Sequence, residues 1–330
     1  MTNTLGRHYP WNSDSWELLQ RYYTQARVPT SLLLSGPTGI GKKDLAKFFA
    51  SLLLCHKPHN NIACGSCASC NLMATGGHID YNYVEVEEGS NILKIEQIRE
   101  LRSLLFQAPA DSNYKVAVIN DADCMQESAA NSLLKTLEEP MGKTILILLS
   151  SKPWQLPLTI RSRCSHIKLS PASLAQAEAW LELNQAASSI SDLKLRYNFA
   201  SGGPLEISSS STDNYFVRVC NRIKHSILSN NCQITDFITS LSELDLIDVV
   251  RASLIILQDI IKIRTVTSCS DCVYIQENEL DIILEKNYNL FSLYEIYDYH
   301  IQLLREIDSG TVWQKNSFIL SLHQKWQELL

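Results

Sequence analysis

Three groups of residues in this sequence have the types and spacing to do chemistry. The first is Gly36, Gly39, Gly41 and Lys42, within SLLLSGPTGIGKK from Ser31 to Lys43. Gly36, four residues, Gly41 and Lys42 have the spacing of a P-loop, whose backbone N–H groups curl around phosphate oxygens while the lysine reaches the terminal phosphates of a nucleotide such as ATP. In a loop that holds magnesium the next residue is Ser or Thr; here it is Lys43. A plain Gly-Pro turn between strand and helix is the alternative. The second group is Cys64, Cys67 and Cys70, a CxxCxxC run, with Cys55 preceding it. Four thiolates suit one closed, structural zinc ion, Zn(2+), in tetrahedral geometry. A metal-free cysteine-rich loop is the alternative, and iron–sulfur clusters use other spacings. The third group is the turn Arg161, Ser162, Arg163 and Cys164. Beside a nucleotide-binding fold, such an arginine is a candidate finger that enters a neighbour's site and stabilises charge on the transferring phosphoryl group. Elsewhere it is surface charge.

Two further positions bear on catalysis. Asp121 ends the run KVAVIND, where an ATPase of this architecture carries a carboxylate that helps hold magnesium, but the next residue is Ala122 and not a water-activating glutamate. Lys43 and Ala122 therefore remove two separate requirements of phosphoryl transfer. Asp123 could stand in as the base, but its side chain would point to the other face of a continuing strand from the position of Ala122. Cys269 and Cys272 form a second CxxC. Two ligands cannot complete a tetrahedral site, so the pair reads as coincidence, and Cys124, Cys220 and Cys232 read as small buried side chains.

The elements that must position these groups follow from apolar patterning. Leu32 to Leu34, Lys115 to Asp121 and Thr144 to Ser151 read as buried strands, with Tyr81 to Val86 and His166 to Leu169 as shorter ones. Helices are expected over Asp14 to Ala26, Asp44 to Leu54, Leu93 to Gln107 and Ser128 to Glu139, the last two stopped by Pro109 and Pro140. Strands alternating with helices imply an α/β parallel sheet covered on both faces, with ligands at the carboxyl ends of the strands. His56 to Gly77 breaks the helical pattern and reads as an insertion. After Leu169 strand signals fade, and the expected division is a P-loop domain at 1–168 with a zinc module at 55–70, a small helical lid at 169–209 and a helical domain at 210–330.

At 330 residues, 45% hydrophobic and 19% charged, the composition is that of a globular protein of two or three domains. No opening stretch reads as a signal peptide and no apolar run would span a bilayer, so a cytoplasmic setting without membrane contact is expected. There the ten cysteines stay reduced. A net charge of −6 does not draw the chain to nucleic acid by its own field.

The combination of PWN at 10–12, SGPTGIGK at 35–42, CGSCASC at 64–70, AANSLLKTLEEP at 129–140 and TIRSRC at 159–164 resembles the clamp-loader subunits of bacterial DNA polymerase III. The resemblance is dense from Pro10 to Leu169 and thin beyond it. It implies an AAA+ module with a zinc-bearing insertion, a helical lid and an oligomerising helical collar. It also implies a place in a five-subunit assembly with gamma/tau motor subunits and a delta subunit, which opens the sliding clamp and loads it on primed DNA. Carried over by residue, Cys55, Cys64, Cys67 and Cys70 match zinc ligands, Arg163 matches the finger offered to an adjacent ATP-bound subunit, and Ser150 or Ser151 falls near a sensor position. Pro204, after Gly202 and Gly203, stands where hydrolysing relatives carry a sensor arginine. The expected role is a noncatalytic stator within a polymerase holoenzyme, without polymerase or ATPase activity of its own. Two readings compete: an autonomous P-loop ATPase holding magnesium through Asp121, and a zinc-containing nucleic-acid-binding protein. Against the second, Lys57 is the only Lys or Arg between Cys55 and Cys70.

Overall fold

The structure, a computed structural model, describes all residues except 1–4, 140–141, 185–189, 210–214, 229–237, 240, 267–271, 276–278, 287, 309–310, 312 and 328–330. The chain forms two compact units, Met1–Ala179 with Ser201–Ile207, and Trp180–Ala200 with Ser208–Leu330.

The first unit is built on five parallel strands in the order β2-β3-β4-β1-β5: β1 Ser31–Ser35, β2 Tyr81–Val84, β3 Lys115–Ile119, β4 Thr144–Ser150 and β5 Ser165–Lys168. Every residue of β1, β3 and β4 is buried, which their near-continuous apolar sequences anticipate for strands covered on both faces. The edge strands β2 and β5 carry polar residues and are only partly buried. Leu34 lies opposite Leu149, and Ser35 opposite Ser150, so the carboxyl ends of the two central strands finish side by side under the P-loop. Helices α1 (Ser13–Thr24), α2 (Lys42–Leu54), α3 (Ala68–Thr75), α4 (Ile95–Leu105) and α5 (Glu127–Glu138) belong to this unit. Helices α4 and α5 pack together over a core that includes Ile98, Leu101, Ala130, Leu133 and Leu137.

Three local differences from the sequence expectation matter. Helix α2 starts at Lys42, directly after Gly41. The insertion contains a helix, α3, capped by the Cys67 sulfur, which accepts the Cys70 N–H, and stopped by Gly76 in the left-handed conformation. Strand β3 ends at Ile119, and Asp121 adopts a left-handed backbone (φ 48°) before a short 3-10 turn at Ala122–Cys124. Strand alternation therefore does not govern where Asp123 points.

The second unit is helical where described. Its 21-residue helix Leu246–Val266 is flanked by Tyr215–Leu228 and Leu290–Asp308, around a core of Val219, Ile256, Ile260, Leu293, Phe318 and others. Within it the buried Asp259 carboxylate accepts the backbone N–H groups of Val273, Tyr274 and Ile275. Cys272 is buried with its thiol toward the Asp259 carbonyl, while Cys269 and Cys232 lie outside the described residues. Cys220 is buried and Cys124 only half-buried. No described helix is long and apolar enough to cross a membrane.

Candidate functional site

The P-loop runs from the end of β1 into the start of α2. The local fold requires glycine at Gly41, whose φ is +84° and where a Cβ would collide with the Tyr9 ring. Tyr9 stacks on Trp11 with ring centroids 5.0 Å apart, and its hydroxyl donates to Asp44 at 2.6 Å. Trp11 Nε1 and Asn12 Nδ2 both donate to the Ile40 carbonyl, at 3.0 and 2.7 Å. The PWN segment, which reads in sequence as a cover, thus pins the loop through a single carbonyl.

Lys42 does not extend into open space. Its ammonium donates to the carbonyls of Gly36 and Pro37, both at 2.7 Å, and to Ser151 Oγ at 2.9 Å. These three bonds use all three of its N–H donors. Burial pulls its pKa down to about 8, against the opposing charges of Asp121, Asp123 and Glu206. Burial and the neighbouring Asp123 charge raise the Asp121 carboxyl. Asp123 Oδ1 accepts the N–H of Ser151, the residue whose hydroxyl meets Lys42, at 3.2 Å. The early end of β3 brings Asp123 inward, contrary to the alternation argument. Ser150 is fully buried at the end of β4, and Ser151 is the residue that meets Lys42.

Lys43, at the metal-ligand position, turns outward. Its ammonium pairs with Glu85 at 3.1 Å and lies 4.6 Å from the centre of the Tyr83 ring. Over the loop sits the segment after Gly203, where sequence reasoning noted only the absence of a sensor arginine. Leu205 N–H donates to the Gly39 carbonyl at 3.0 Å, and Thr38 Oγ1 donates to Glu206 Oε2 at 2.6 Å. A Cβ on Gly39 would lie 2.7 Å from Glu206 Cβ. The turn after Gly203 therefore lays a carboxylate on the phosphate cradle, at the place where the resemblance implies a cation.

The four cysteines converge. The sulfurs of Cys55, Cys64, Cys67 and Cys70 all lie within 4.8 Å of one another, with Cys55–Cys67 at 4.0 Å and Cys64–Cys70 at 3.9 Å. Zinc–sulfur bonds of about 2.3 Å at tetrahedral angles put sulfurs about 3.8 Å apart, whereas a disulfide needs about 2 Å. Backbone N–H groups of Cys64, Cys67 and Cys70 donate to the sulfurs of Cys55, Cys64 and Cys67, which stabilises thiolates and orients them. Backbone N–H bonds from Ser66 and Cys67 lower the Cys64 thiol to about 6. The donor set fits a metal ion.

Three buried residues anchor this module. Ser69 Oγ donates to the Leu54 carbonyl at 2.7 Å and lies 2.9 Å from His78 Nε2, while His78 Nδ1 accepts the Asp80 N–H. The Asp80 carboxylate accepts the N–H groups of Ala110, Asp111 and Ser112 at 2.8–3.0 Å. Burial works against its charge, yet those three bonds hold its pKa below the ordinary carboxylate value. No sequence pattern marks Asp80.

Arg163 lies between α6 (Leu158–Arg161) and β5. Its guanidinium pairs with Glu138 Oε1 at 2.7 Å and donates to the Thr159 carbonyl at 2.9 Å, with the side chain 38% exposed. It is on the surface of the unit and makes no described contact with the P-loop.

A five-stranded parallel sheet with a P-loop after β1, acidic residues after β3 and an exposed arginine before β5 defines a P-loop module of the AAA+ kind. The family model for "DNA polymerase III, delta subunit" matches residues 11–173. The chain is 32% identical to DNA polymerase III subunit delta' of Escherichia coli K12 over 228 residues, 68% of each chain. It is 39% identical to subunit delta' of Pseudomonas aeruginosa over 173 residues, 52% of each, so that alignment spans about half the length of the relative. Subunit tau of Bacillus subtilis is 37% identical over 146 residues, 44% of this chain and 25% of that one. The chain belongs to the family of DNA polymerase III delta' subunits.

Proposed function

We propose that this protein is a noncatalytic stator of a clamp loader, helping gamma/tau-type motor subunits and a delta subunit to load a sliding clamp on primed DNA in the cytoplasm. The observation that carries the reading is the state of its own P-loop. Lys42 spends all three donors on its own chain, Lys43 replaces the magnesium ligand and turns to Glu85, and Glu206 presents negative charge to the cradle. Gly36, Gly39, Gly41, Lys42 and Asp121 then form a relict site whose remaining work is to hold the fold. Arg163 is the active group, stabilising phosphoryl charge in trans at a neighbour's site. Cys55, Cys64, Cys67 and Cys70 hold a structural zinc ion, which crosslinks the end of α2 to α3 and supplies no open coordination position.

The enzyme reading has one observation in its favour: the charges of Asp121 and Asp123 both act on Lys42, and the two carboxylates could hold a cation. The deciding test is ATP hydrolysis by the purified chain. The stator reading expects no turnover above background and no effect of Lys42→Ala; turnover at motor-subunit rates, abolished by that substitution, overturns it.

A further inference from the structure

The contact that Arg163 makes in its own chain carries an inference that rests on the finger reading. Glu138 is the last residue of α5, at the end where the helix dipole is negative and a carboxylate is disfavoured. Its Oε1 lies 2.7 Å from Arg163 Nη2, across a chain separation that only the packing of α5 against α6 closes. On its other branch, Nη1 donates to the Thr159 carbonyl at 2.9 Å. The guanidinium is therefore gripped by one nitrogen on each side. Nη1 is engaged in a hydrogen bond and Nη2 in an ion pair, among the five N–H donors of a side chain that is 38% exposed.

As a stabilising element the pair is minor: exposed ion pairs change a folding equilibrium by about fivefold or less. As a positioning device it is effective. A free arginine side chain must give up its rotamer freedom when it docks on a phosphate, and a side chain already fixed has less to lose. We propose that Glu138 is the positioning residue of Arg163, holding a partly exposed guanidinium in place, ready for the polyphosphate of a neighbouring nucleotide-bound subunit.

The test uses the full chain reconstituted with its gamma/tau-type and delta partners, reading kcat and KM for DNA-stimulated ATP hydrolysis. Glu138→Ala is expected to lower kcat about three- to tenfold, the share of rotamer freedom that the grip removes, with KM unchanged. Glu138→Gln keeps an acceptor at the same reach and is expected to recover most of that loss. In an Arg163→Ala background, Glu138→Ala should have no further effect, because Glu138 acts only through Arg163. Thermal melting of the isolated variants should match wild type. An unchanged kcat in Glu138→Ala, while Arg163→Ala is impaired, overturns the positioning role and leaves the finger standing. An equal loss in both backgrounds shows that Glu138 acts elsewhere and also overturns it. Full activity of Arg163→Ala removes the finger itself, and this inference with it.

Discussion

Removing the negative charge from the P-loop should reopen it to nucleotide. The perturbations are Glu206→Gln and Lys43→Thr, alone and together. In wild type the Glu206 carboxylate is fixed on the loop by the 2.6 Å bond from Thr38. A phosphate charge about 5 Å away, at an effective dielectric of about 20, would be repelled by about 3 kcal/mol, roughly a hundredfold in affinity. Salt screening trims that figure, so Glu206→Gln is expected to tighten ATP binding by about ten- to a hundredfold. Glutamine still accepts the Thr38 hydroxyl, so the loop keeps its shape. Lys43→Thr supplies the missing hydroxyl and removes the cation contact with the Tyr83 ring and an exposed pair with Glu85, the pair worth at most about 1 kcal/mol. It should make binding magnesium-dependent, most clearly in the double variant. The assay is titration of each purified variant with a fluorescent ATP analogue, with and without magnesium. Tight stoichiometric binding by wild type, or no gain in Glu206→Gln, would refute the argument that this carboxylate closes the site.

Three further outcomes are expected. Asp80→Ala strands three backbone donors of the 110–112 turn and should cost about 3–5 kcal/mol in urea unfolding at pH 7, less in Asp80→Asn. Because the folded-state pKa of Asp80 is depressed, its stabilisation is present above the unfolded pKa of about 4 and lost as pH falls through the folded value, so the gap between wild type and variant should narrow on acidification. Metal analysis should find about one zinc per chain, lost in Cys64→Ser, and a chelator should lower the melting temperature of wild type but not of that variant. Gly41→Ala forces a left-handed backbone on alanine and a collision with Tyr9, costing about 1–3 kcal/mol in thermal melting, and Tyr9→Ala in the same chain should recover part of it.

The sheet and the four-cysteine cluster were legible in the sequence because their signals are local. Leu32 to Leu34 and Thr144 to Ser150 are continuous apolar runs that only a covered parallel sheet accommodates. The cysteine spacing encodes its own convergence. The direction of Asp123 was not legible because strand alternation does not extend past Ile119, and the backbone turns left-handed at Asp121. Helix α3 was hidden by its brevity and by a cysteine serving as its cap. The Thr38–Glu206 bond, the Asp80 cradle and the Arg163–Glu138 pair join residues distant in sequence, and no periodicity announces them. What the sequence offered in this segment was a missing sensor arginine at Pro204; two residues on, the fold supplies a carboxylate at Glu206.

On the stator reading, this chain's chemistry is done through Arg163 at a neighbour's site and not through Lys42 at its own. Reconstituted with its partner subunits, Lys42→Ala and Arg163→Ala should separate cleanly in DNA-stimulated ATP hydrolysis and clamp loading. An arginine finger is worth about a thousandfold or more at the site it serves, so Arg163→Ala should silence the adjacent site and lower clamp loading at least about tenfold, while Lys42→Ala stays within about twofold of wild type. A full-strength Arg163→Ala assembly beside an impaired Lys42→Ala assembly would contradict it.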